Sequence, residues 1–76
     1  MMKFEDLYIG RRFKYKNKFF VIVSYYYQIG KECLVVEAVR FNTNKRIRWV
    51  HKIYEDEFSL CEPLLDSIKN NAMEKI

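Results

Sequence analysis

RRFKYKNKFFVIVSYYYQ, residues 11–28, is the stretch on which the fold turns. Phe13 and Tyr15 alternate with Arg12, Lys14 and Lys16, the two-residue period of a strand with one face in a core and one in water. KNK is a short polar turn centred on Asn17, which tolerates left-handed backbone. A second strand is expected from Phe19 to Tyr27. Up to Val23 it is apolar on both faces, with Phe20, Ile22 and Tyr26 on one side and Phe19, Val21, Val23, Tyr25 and Tyr27 on the other. Such a strand needs a cover on each side.

Before this hairpin, FEDLYIG reads as one helical turn or tight loop, with Gly10 free to take backbone angles that other residues resist. After it, QIGKE turns the chain at Gly30. CLVVEAVRF (33–41) forms a third strand with Leu34, Val36 and Ala38 inward and Glu37 outward. NTNK turns again. RIRWV is expected as strand four, with Ile47 and Trp49 pointing in and Arg46 and Arg48 out. FSLC suggests a short fifth strand. From Pro63 on, Leu65, Ile68, Ala72 and Ile76 recur at helical spacing, and Pro suits a first helical turn. That amphipathic helix, about 63–76, is expected to dock on the outer face of strand two.

A chain of 76 residues is one domain. At this size folding buries only about 60% of the chain's surface, so the core is thin. The six Tyr, six Phe and one Trp supply much of it, since large rings bury the most area per residue. No apolar run approaches the ~20 residues of a membrane span, and the charged start MMKFEDLY is unlike a signal peptide. Cys33 and Cys61 form no C-x-x-C pair, and the single His51 does not complete a zinc set with them. The expectation is an intracellular, cytoplasmic protein with two reduced thiols, no metal and no cofactor.

FEDLYIGRRFKY, the aromatic–valine strand, EAVRF, a polar turn and RIRW together resemble the small SH3-like β-barrel proteins of phages and mobile elements. The resemblance spans about residues 4–61. It implies a mainly β fold, a small antiparallel barrel of about five strands, here followed by the C-terminal helix. It also implies a protein that binds nucleic acid, or one that binds and redirects a host protein in the host cytoplasm.

No catalytic constellation assembles. His51 reads as a surface or turn residue, the cysteines as small buried groups, and Glu55–Glu57 as a solvated turn. The charge pattern carries more information. The net charge of +4 is concentrated in blocks. Lys3, Arg11, Arg12, Lys14, Lys16 and Lys18 outnumber Glu5 and Asp6. Arg40, Lys45, Arg46, Arg48 and Lys52 stand without acids, and Glu55, Asp56, Glu57, Glu62 and Asp66 follow without bases. Polarised basic faces suit polyanions or acidic protein surfaces. The candidate binding residues are Arg11, Arg12, Lys14, Lys16, Tyr25, Tyr27, Arg40, Lys45, Arg46 and Arg48. Tyr beside Arg and Lys serves both single-strand stacking platforms and protein hot spots. Two functions therefore stay open: nucleic-acid binding (DNA or RNA) without sequence specificity, and docking on a host protein with an acidic surface. A homodimer is compatible with either.

Overall fold

Lys16 and Asn17 both take positive φ, 51° and 62°, and close a two-residue hairpin between β1 (Arg12–Tyr15) and β2 (Lys18–Gln28). Turns of this kind match the natural twist of paired strands. The computed structural model that shows this describes residues 1–41 and 49–64. β2 continues through a loop at Ile29–Glu32, where Gly30 has φ 105° and the Glu32 N–H donates to the Gln28 carbonyl at 2.9 Å. β3 (Cys33–Arg40), β4 (Val50–Tyr54) and β5 (Cys61–Pro63) complete an antiparallel sheet of order β4-β3-β2-β1-β5. Short 3-10 turns lie at Phe4–Asp6 and Glu55–Leu60.

The expected barrel does not close. β4 and β5 stand at opposite edges of the sheet, and β5 is only three residues long. It ends on Pro63, which has no N–H to extend a ladder. Pro63 thus closes a strand where a helical first turn was expected. Residues 65–76 of that expected helix lie outside the described residues, as do Arg46, Ile47 and Arg48 of the expected fourth strand. The described fourth strand begins at Val50 instead. FSL of the expected fifth strand belongs to the second 3-10 turn, and only Cys61 enters β5.

One face of the sheet builds the core. Phe13, Phe20, Ile22, Val36, Ala38, Ile53 and Cys61 gather there, and Met2, Leu7 and Phe58 cap them from outside the sheet. Phe13 and Phe20 stack directly across the hairpin, with centroids 5.6 Å apart. The Met2 N–H donates to the Phe58 carbonyl at 3.0 Å, which holds the first residues under this face.

A bulge corrects the expected alternation of β2. Ile22 pairs with Ala38 but Ser24 pairs with Glu37, so Val23 is the extra residue. One inserted residue reverses which side each later side chain faces. Tyr25 and Tyr27 therefore share the core side with Phe20 and Ile22, opposite Val36 and Leu34, while Tyr26 faces outward opposite Val35. Trp49, expected in the core, is 76% exposed. It precedes β4, beyond the last ladder pair Val39–Val50, where among the described residues no strand pairs with it.

Candidate binding face

The outer side of the sheet carries four cross-strand rows. Lys14 lies between Glu62 and Phe19, and the next row runs Arg12, Val21, Val39, Val50. A third runs Ser24, Glu37, Lys52, and a fourth Tyr26, Val35, Tyr54. Directly paired residues on antiparallel strands project to the same side, so these rows share one side of the sheet, on which Val35 is fully buried and Val21 and Val39 are half-buried. Phe41 joins it at the end of β3. Its N–H donates to the Phe19 carbonyl at 3.1 Å, the two rings approach to 5.9 Å, and the Arg12 guanidinium lies 5.7 Å from the Phe41 ring centre. Phe19, Val23 and Val50 are exposed. The surface thus has an aliphatic and aromatic middle, with Arg12, Lys14 and Lys52 around it.

Of the described residues singled out from the sequence, Arg12 and Lys14 meet on this face. Arg11 is committed elsewhere: its guanidinium pairs with the Asp6 carboxylate at 3.2 Å and donates to the Tyr8 hydroxyl at 3.0 Å. Lys16 sits in the hairpin turn, off the strand face on which alternation placed it, with its Nζ 5.1 Å from the Tyr15 ring centre. Arg40 pairs with Phe20 and so belongs to the core side at the end of β3. Tyr25 and Tyr27 are also on that side, separated from Arg12 and Lys14 by the bulge. Lys45, Arg46 and Arg48 lie outside the described residues. The idea of a basic face lacking acids also needs correction, because Glu62 stands opposite Lys14 and Glu37 opposite Lys52. Lys52, Phe19, Phe41 and the valines were not among the candidate binding residues, although Phe19, Val21 and Val23 were read as one apolar side of strand two. The alternation of β3 and β4 pointed to them, but it does not show which strands become neighbours.

The acidic segment is structural at two points. Glu57 accepts a hydrogen bond from the Tyr15 hydroxyl, which raises the tyrosine's pKa, with burial adding to it. Glu55 accepts the Leu34 N–H at 2.9 Å. Tyr27 donates to Glu32 at 2.8 Å and is raised for the same reason. Beside this segment, a concavity of about 470 Å³ is lined by Lys31, Cys33, Tyr54, Asp56 and Glu57, with Lys31 Nζ 4.3 Å from the Tyr54 ring centre. Among the described residues, no three His, Cys, Asp or Glu side chains gather to hold a metal ion. No helix among them is long and apolar enough to cross a membrane.

No family model matches the chain, and no curated protein or solved structure matches it.

Proposed function

We infer that the protein is a non-enzymatic binding module, and that the outer face of β1–β4 docks a protein partner. The observation that carries this is the make-up of that face: Val21, Val39 and Val50 in a row, Phe19 and Phe41 beside them, and charges at the margin. An apolar centre with a polar rim is the anatomy of a protein–protein contact. Exposed clustered apolar area on so small a chain also favours an interaction site. Arg12, Lys14 and Lys52 would meet carboxylates at the rim of the partner. This is the mode of a phage-type effector that docks on a host protein. The strand order, with a 3-10 turn leading into a last strand that pairs with the first, supports an SH3-like open sheet; fold alone does not assign the activity.

Nucleic acid is the second reading. It is favoured by the Arg12 guanidinium over Phe41 with Lys14 and Phe19 adjacent, and by a sequence pI near 9.1. Cations beside rings suit unpaired bases.

The deciding experiment is capture from lysate with nuclease present, using wild type and Val50→Glu, a change at an exposed strand position. A partner retained by wild type after nuclease, and lost with Val50→Glu while the fold persists, is the expected result. Binding of labelled single-stranded oligonucleotides at about 50 mM salt, with no nuclease-resistant partner, would move the assignment to nucleic acid.

A further inference from the structure

We propose that the protein self-associates through the free edge of β2 at Ser24–Gln28, forming an antiparallel β2–β2 pair with a second copy. β1 accompanies β2 only as far as Arg12 opposite Val21, and the last contacts on that side are the two backbone bonds of Ile22 with Gly10 and Arg11. From Ser24 to Gln28, β2 has β3 on one side, and among the described residues no strand on the other. Open edges of this kind template further strands unless they are protected. The segment itself carries none of the protective residues: SYYYQ contains no charge, no Pro and no Gly, and the bulge at Val23 ends before it begins. β5 differs in being short and carrying Glu62 and Pro63.

The segment is complementary to itself, which selects a second copy as its occupant. The register that pairs the whole stretch is centred on Tyr26. It sets Ser24 against Gln28, Tyr25 against Tyr27 and Tyr26 against its own counterpart. No like charges meet, and each Tyr25–Tyr27 contact is a cross-strand aromatic pair. Tyr25 and Tyr27 are 43% and 53% exposed, with no described strand beside them on this edge, and the second strand would cover both. Ile29, just beyond the ladder, is 86% exposed. The β4 edge is less suited to the same role, since pairing all of Val50–Tyr54 with itself puts Lys52 opposite Lys52. Antiparallel pairing also turns the outer faces of the two copies to the same side of one continuous sheet.

The contact is a single pair of short strands, well below the area of a permanent dimer, so association in the micromolar range is expected. Sedimentation across a concentration series should show wild type passing from 9.4 kDa to twice that mass. Tyr25→Lys with Tyr27→Lys sets like charges opposite each other and should weaken association at least tenfold. Tyr25→Glu with Tyr27→Lys sets opposite charges together in this register and should keep the dimer. Amide exchange on wild type supplies a readout free of substitutions: protection at Ser24–Gln28 should rise with concentration. A wild type that stays monomeric to about 1 mM overturns the proposal and leaves the edge to a foreign strand. So does a Lys/Lys variant that dimerises as well as wild type, or protection there that does not depend on concentration.

Discussion

Cys61 and Trp49 show how far a side chain's surroundings govern its behaviour. Cys61 is almost fully buried, and its thiol donates to the Glu57 carbonyl at 3.7 Å. Burial, reinforced by the nearby Glu57 charge, pushes its pKa from 9.0 to about 11. The folded chain therefore holds this proton after an unfolded chain has released it. That contribution to stability is present below about pH 9 and is lost as pH rises toward 11. Urea midpoints should fall between pH 8.5 and 10.5, roughly the interval set by this linkage, and fall less steeply in Cys61→Ala. Tyr15, raised by its bond to Glu57, keeps part of the alkaline loss in both proteins. Trp49 is the reverse case. Its exposure implies that Trp49→Ala changes stability by no more than about 0.5 kcal/mol, against the 3–5 kcal/mol typical of a buried ring. A urea titration distinguishes these outcomes directly.

At the level of elements, the β1–β2 turn is the clearest compromise. Lys16 holds φ 51°, a conformation that costs a residue with a Cβ about 1 kcal/mol, whereas Asn17 tolerates it. Replacing the pair with the preferred residues, Lys16→Asn with Asn17→Gly, should stabilise the hairpin by about 0.5–1 kcal/mol, read from the same urea titration. Lys16 lies off the outer face, so partner binding should be unaffected. The bulge at Val23 matters more to function, because it parts the tyrosines from the basic residues of β1. Tyr25 and Tyr27 then flank an open edge, and the outer face keeps valines and phenylalanines at its centre.

Over the whole molecule, the distribution of charge separates the two functional readings. Lys14 faces Glu62 and Lys52 faces Glu37, so both of these lysines on the outer face already have a carboxylate opposite them. Association through that face should have a shallow salt dependence, weakening a few-fold between about 50 and 200 mM. A surface making six or more phosphate contacts would lose about a thousandfold over that range. Surface plasmon resonance on the captured partner, repeated at several salt concentrations, gives the slope. If the chain pairs through β2, binding to a dense partner surface should also exceed that of the Tyr25→Lys, Tyr27→Lys protein, because two outer faces then point the same way.

The strands of the first hairpin, its turn at Asn17, the left-handed glycines and the inward set Phe13, Phe20, Ile22, Val36 and Ala38 were legible in the sequence. Each depends on neighbours a few positions away, through two-residue alternation or local backbone preference. What alternation does not contain is an inserted residue, so the bulge at Val23 and the changed sides of Tyr25–Tyr27 emerged only when β2 was set against β3. The end of a ladder is equally invisible, and this is why Trp49 read as core and stands in water. Charge blocks along the chain suggested a basic face, but strand order brought Glu62 and Glu37 opposite Lys14 and Lys52. Whether the sheet closed was likewise decided in three dimensions, by a last strand only three residues long that ends on proline. Sequence determines what each strand offers on its two sides; tertiary pairing decides what each side meets.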